Sequence, residues 1–328
     1  LLPESALRPL AGCCGIRGIA MTAGGRGARR NDNPIRRQAM DLVERAQGLI
    51  PPSEWSRRGF MMTSLATGFA LSVQPVAAQT MITTDTQGLE AGEVKIDAKD
   101  VQMPAYRAMP ATGEGFPTVL VIQEIFGVHE HIKDVCRRLA KAGYFAVAPE
   151  LYVRQGNPAE LKDNQEIVQK IVMRVPTAQV MADLDATVAF ARASGKADAA
   201  RLGVTGFCWG GWATWMYAAH QPGLKAAVSW YGSDRKPNDL IPKNPVDVIA
   251  ELKCPVLSLY GGADQSIPME VVEKRQAACQ AAGKICEYHV YPDMPHAFHA
   301  DYWPSYRAEA ARDGWARMLA WFKKYGVA

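Results

Sequence analysis

The chain has 328 residues, 48% of them hydrophobic and 9% aromatic, a composition that excludes a largely disordered protein and leaves room for one large or two small domains. Its formal charge is +4, yet residues 1–78 carry ten Arg and no Lys against five acidic residues, leaving 27 basic and 28 acidic residues for 79–328. A near-neutral folded part excludes a nucleic-acid footprint, which needs Lys and Arg clustered on it.

Residues 1–39 are rich in Arg and Gly without periodicity and read as an N-terminal extension, with Met40 as a candidate translation start. Ser56-Arg57-Arg58-Gly59-Phe60-Met61 is a twin-arginine signature, followed by a weakly apolar run to Val73 and by Val76-Ala77-Ala78, small residues suited to cleavage before Gln79. The apolar run, about a dozen residues, is shorter than the roughly 20 that a span requires. Residues 40–78 therefore read as a twin-arginine signal peptide. This implies export machinery as a partner, a periplasmic or secreted location in a bacterium, and no stable membrane insertion.

From Gly92 onward, short apolar runs alternate with amphipathic stretches, the βα pattern of a mostly parallel sheet with helices on both faces. Residues 94–96 and 101–108 read as opening strands, and 118–123 (TVLVIQ) as the first central one. A helix over 131–142 with a Gly143 stop leads to a strand over 145–149, and helices are predicted over 159–174 and 177–194. The strand near 201–207 opens a helix over 210–220. Strands at 225–231, 256–260 and 286–291 follow, with helices over 269–282 and 306–323. Residues 232–246, rich in Pro, Asn and Lys, read as a linker-like stretch. About six central strands fit one α/β domain over 79–328.

The strand ending at Phe207 runs into Gly206-Phe207-Cys208-Trp209-Gly210, a nucleophile elbow with Cys in the usual Ser position. The sharp strand-to-helix turn wants Gly on both sides and pushes the middle side chain out. At a helix start, the unpaired N–H groups and the dipole favour an anion, the state in which a cysteine is nucleophilic. Functional groups in such sheets gather at the carboxyl ends of strands. There Asp264 follows the strand 256–260 and His296 follows 286–291, giving nucleophile, acid and His in the chain order of α/β-hydrolases. His296 would take the Cys208 proton and Asp264 would orient the ring. The bland readings are a packing cysteine, a turn-closing aspartate and a loop histidine. Glu124, at the end of TVLVIQ, is a strand-end carboxylate that needs a partner. No CxxC or His-rich spacing suggests zinc. Of seven Cys, five lie beyond residue 78, and Cys279 and Cys286 flank a helix-to-strand turn where they can form a disulfide.

The segments QEIFG, AKAGYFAVAPELYVRQ, GFCWGG, GGADQSIP and PHAFHADY, in this order, resemble the dienelactone hydrolase (carboxymethylenebutenolidase) family, across essentially all of 79–328. The resemblance implies an α/β-hydrolase fold and a hydrolase of small esters or enol-lactones that works through an acyl-thioester with no metal or organic cofactor. It implies Cys208, Asp264 and His296 as the triad, Glu124 as the partner of the resting cysteine, and the N–H groups of Trp209 and Ile125 as the oxyanion hole. Family members place Arg four residues after the catalytic His, where this chain has Ala300, and a second family arginine has Arg174 as its nearest candidate here. Trp209, Tyr231, Tyr302 and Trp303 are candidate pocket residues, and His299 a candidate substrate contact. The alternatives are a broader carboxylesterase or thioesterase on the same triad, a thiol redox protein, and a non-catalytic small-molecule-binding protein.

Overall fold

The computed structural model describes residues 81–328, so the N-terminal extension and the signal peptide lie outside the described residues. One eight-stranded sheet has the order β1-β2-β4-β3-β5-β6-β7-β8. Its strands are β1 (Leu89–Asp97), β2 (Gln102–Pro110), β3 (Phe116–Ile122), β4 (Phe145–Pro149), β5 (Ala197–Phe207), β6 (Leu224–Trp230), β7 (Val256–Gly261) and β8 (Cys286–Tyr291). β1 and β2 form an antiparallel hairpin that joins β4 antiparallel, and every pairing from β4 through β3 to β8 is parallel. The expected α/β-hydrolase class is the one observed.

The parallel strands are apolar on both sides because both sides are covered. Along β3, Leu120 and Ile122 enter one core with Trp212 and Trp215, while Val119 and Val121 enter the other with Ile132, Leu139 and Phe322. The helices are α1 (Glu130–Lys141), α2 (Asn164–Lys170), α3 (Thr177–Ala193), α4 (Trp209–His220), α5 (Pro245–Val248), α6 (Met269–Ala281) and α7 (Ala308–Lys324). α3 and α4 line the first core and α1 and α7 the second. Among the described residues, no helix is long and apolar enough to cross a membrane.

One expectation needs correction. The helix expected over 159–174 is broken into a 3-10 turn at Pro158–Glu160, the short α2, and a 3-10 turn at Val172–Arg174. Local caps compete with a continuous helix there: the Asn157 side chain accepts from the Ala159 N–H, and Asp163 from the Glu166 N–H. The linker-like stretch after β6 is pinned. Asn244 caps α5 and also bonds back to Arg235, accepting from its N–H at 2.7 Å and donating to its carbonyl at 2.9 Å. Cys279 and Cys286 form a disulfide between the end of α6 and β8.

Candidate active site

The elbow is made by close backbone approach. A Cβ on Gly206 would lie 2.3 Å from the Gly210 carbonyl oxygen, and one on Gly210 would lie 2.4 Å from that of Ile122. With both flanks held, Cys208 takes the left-handed φ of 55°, an uncommon conformation for a non-glycine residue, and caps α4. Its N–H donates to the Trp230 carbonyl at 3.0 Å, tying the elbow to β6. Of the free cysteines among the described residues, Cys136 and Cys254 are buried and Cys208 is half-buried. Burial pushes the Cys136 thiol up and the Cys254 thiol up to about 12, so both are held as thiols.

The loops after β7 and β8 arrive as a pair. A Cβ on Gly261 would lie 2.2 Å from the Met294 oxygen, so the two backbones touch. This delivers Asp264 to His296, with Oδ2 accepting from Nδ1 at 2.7 Å. The other oxygen, Oδ1, accepts from the Ser266 N–H at 2.8 Å and its hydroxyl at 2.6 Å. The Ser266 hydroxyl lies 3.2 Å from His296 Nδ1 as well. With Nδ1 given to the carboxylate, Nε2 is the nitrogen left for chemistry. Burial works against the imidazolium, but the charge of Cys208 and the hydrogen bond to Asp264 outweigh it and hold His296 up at about 10. Burial likewise opposes the Asp264 charge, and the His296 and Ser266 bonds overcome it, leaving its carboxyl below the ordinary value. Tyr231, fully buried, sets its ring edge-on to the His296 ring at 5.1 Å.

Cys208, His296, Ser266, Glu124, Ile125 and Trp209 share a cavity of about 430 Å³. Neither the Trp209 nor the Ile125 N–H has an acceptor in the hydrogen bonds of the described residues. The cavity also takes in Tyr302, Trp303 and Phe126 from one side and Val168, Val172 and Met173 from the α2 region. Among the described residues, no group of three or more His, Cys, Asp and Glu is placed to hold a metal ion.

Three sequence expectations resolve differently in space. Glu124, 2% exposed, is engaged by Tyr302, whose hydroxyl donates to Oε2 at 2.5 Å, and by His129 Nε2 at 3.5 Å. The structure thus gives the carboxylate to these two groups rather than to Cys208, because a carboxylate this buried needs donors and Tyr302 supplies one. Burial opposes its charge, and the His129 bond, the His131 charge and the Tyr302 bond outweigh it. His299 lies behind the cavity, stacked on Phe207 at 5.1 Å and 4.6 Å from the Trp230 ring, and burial pushes it well below its ordinary range. Tyr231 supports the His296 ring without lining the cavity. Arg174 lines a separate groove with Gln155 and Lys170, and Ala300 is fully buried beside Tyr302. The sequence motifs do not mark Ser266 or Arg235 as cavity residues. Ser266, two residues after Asp264, carries the signal of an Asx turn; Arg235, in an irregular stretch, carries none.

The sequence model of the dienelactone hydrolase family matches residues 103–326. The chain belongs to the dienelactone hydrolase family. It is a hydrolase acting on ester bonds. It is 66% identical to a "Putative carboxymethylenebutenolidase" of Methylorubrum extorquens over 86% of this chain and 97% of that one. A "Probable 2-oxo-3-(5-oxofuran-2-ylidene)propanoate lactonase" of a Bradyrhizobium species is 31% identical over 67% of this chain and 88% of its own. The crystal structure of a "Putative Dienelactone Hydrolase" from Klebsiella pneumoniae superposes with a TM-score of 0.71 at 52% identity, covering 72% of this chain and 99% of that one.

Proposed function

We propose that the protein hydrolyses small esters or enol-lactones through a thioester on Cys208. The observation that carries this reading is the Asp264–His296 hydrogen bond at 2.7 Å beside an elbow cysteine, in a cavity also lined by Trp209 and Ile125, whose N–H groups have no acceptor among the described residues. The Cys208 thiolate attacks the carbonyl carbon, and the carbonyl electron pair moves to oxygen, where the Trp209 and Ile125 N–H groups receive it. Such a donor contributes about 3 kcal/mol in comparable sites. Collapse expels the alkoxide, which takes the His296 proton; in a lactone it stays attached to the acyl chain. His296 then draws a proton from water, the hydroxide attacks the thioester, and collapse releases the acid and frees the thiolate beside the imidazolium, which restores the starting pair. Asp264 holds the ring and stabilises its imidazolium.

The test is Cys208→Ala, or alkylation of Cys208, assayed on activated esters such as 4-nitrophenyl acetate. A loss of at least about 1,000-fold with an unchanged circular dichroism spectrum is expected, and unchanged turnover overturns the reading. A panel comparing dienelactone with neutral short-chain esters separates a lactone hydrolase from a broader carboxylesterase or thioesterase.

We infer also that the chain acts after export through its twin-arginine segment. The Cys279–Cys286 disulfide supports this, since such bonds persist in oxidising compartments. Protein recovered in the cytoplasmic fraction with its N-terminal segment intact would refute it.

A further inference from the structure

Ser266 stands between Asp264 and His296. Its hydroxyl oxygen lies 2.6 Å from Asp264 Oδ1 and 3.2 Å from His296 Nδ1, while Asp264 Oδ2 lies 2.7 Å from the same Nδ1. Counting donors fixes the direction of each of these bonds. Asp264, held below its ordinary value, is a carboxylate and can only accept. Nδ1 therefore carries the proton that it shares with Oδ2, in the neutral ring as in the imidazolium. The hydroxyl has one proton, and the carboxylate oxygen at 2.6 Å takes it, so toward Nδ1–H the Ser266 oxygen acts as an acceptor. The Ser266 N–H donates to the same Oδ1 at 2.8 Å, which stops the carboxylate from rotating. The Asp264 side chain is fully buried and that of His296 is 30% exposed, so the acid is held still and the ring has room to turn. Ser266 itself is exposed and lines the cavity with Cys208 and His296.

We propose that Ser266 is a positioning residue for the hydrolysis: it offers the His296 Nδ1–H a second acceptor, so that the ring can turn between Cys208 and the oxygens of the substrate and of water while its inner proton stays bonded. The inference rests on the ester-hydrolase reading. In that reaction Nε2 serves the sulfur, the leaving oxygen and the attacking water in turn, and these three atoms cannot occupy one place. Each turn of the ring moves Nδ1 against a carboxylate that does not move. With Oδ2 and the Ser266 oxygen both in reach, Nδ1–H lengthens one bond as it shortens the other. An exposed hydroxyl competes with water for this part in the free protein, but an ester filling the cavity displaces that water, and the built-in acceptor then has no substitute. The same bonds keep the proton of the neutral ring on Nδ1, which leaves Nε2 open to receive one.

The experiment uses the full chain as wild type, Ser266→Ala and Ser266→Thr, with two acetyl esters that differ in their leaving oxygen. 4-Nitrophenolate departs from 4-nitrophenyl acetate without help, whereas the far more basic phenolate of phenyl acetate leaves with the His296 proton. Because kcat/KM reports the steps up to departure, it isolates the turn of the ring from Cys208 to the leaving oxygen. In Ser266→Ala it falls at least about fivefold on phenyl acetate and less than about twofold on 4-nitrophenyl acetate, and Ser266→Thr, which keeps the hydroxyl, restores the loss. Equal falls on both esters, no fall on phenyl acetate, or a Ser266→Thr as slow as Ser266→Ala overturns the proposal, since a residue serving only the fold does not sort esters by leaving oxygen. A second arm follows the His296 Nδ1–H resonance by NMR in the wild type and in Ser266→Ala. It moves downfield when the proton is left to Oδ2 alone, and an unmoved resonance overturns the sharing. If the wild type cleaves neither ester, the hydrolase reading fails, and the resonance alone decides whether Ser266 shares the Nδ1 proton.

Discussion

The cavity has two kinds of wall. Cys208, Asp264 and His296 stand just past the ends of β5, β7 and β8, on turns where backbone meets backbone and a single methyl group has no room. Val168, Val172, Met173 and Arg235 come from the short α2, a 3-10 turn and the irregular segment after β6, held by side-chain caps and one cation–ring contact. The first wall is positioned by the sheet, the second by local bonds that can be exchanged one at a time. On the proposed reading, chemistry sits where the scaffold is stiff, and the wall that can vary is the one free to adjust to different substrates.

Substitutions on the two walls should therefore behave differently. Asp264→Asn leaves the His296 ring without its anionic partner and lowers kcat/KM by about 100- to 10,000-fold. The loss should be equal for charged and neutral esters in initial-rate assays, and a loss confined to one class would erase the distinction between the walls. Gly206→Ala places a Cβ 2.3 Å from a backbone oxygen and should cost about 3 kcal/mol or more of stability in urea denaturation.

The pH dependence sharpens the picture of the first wall. His296 rises from 6.5 to about 10, so the stability it contributes is present in full below 6.5 and is lost as the pH climbs toward 10. Asp264 is held below its ordinary 3.8, so its contribution is present above that value and is lost as the pH falls further. In Cys208→Ala, His296 loses a negative neighbour, and its NMR titration should move at least about one pH unit lower. An unmoved titration would show that the sulfur does not face the ring. The smallest effect belongs to the second wall: Met173→Ala should change kcat/KM by less than about tenfold and by different factors for acetyl and bulkier acyl esters.

The same division explains what was legible in the sequence. The strands could be read because two-sided burial makes them continuous apolar runs, and Cys208, Asp264 and His296 because fixed spacings place them at strand ends. The region 159–174 has enough helical spacing to suggest one helix, but Asn157 and Asp163 cap short pieces instead, and no periodicity records that competition. Arg235 was hidden for a related reason: its place depends on Trp212, Val172 and Asn244, none adjacent to it in the chain. Tyr302 is legible as a pocket residue, but its bond to Glu124, 178 residues away, is a fact of folding. Tyr231 and His299 show the opposite error. An aromatic beside a catalytic motif can serve the ring behind it rather than the cavity before it.

The contact between the loops after β7 and β8 bears on how such enzymes can be recombined. Gly261 meets Met294 and Gly262 meets Pro292 at distances that exclude any side chain, so the acid and the base are not independent modules. A chimera whose acid-bearing loop brings a larger residue to either position would push the histidine loop away, even with both Asp264 and His296 retained. The smallest inheritable piece of this active site is the loop pair.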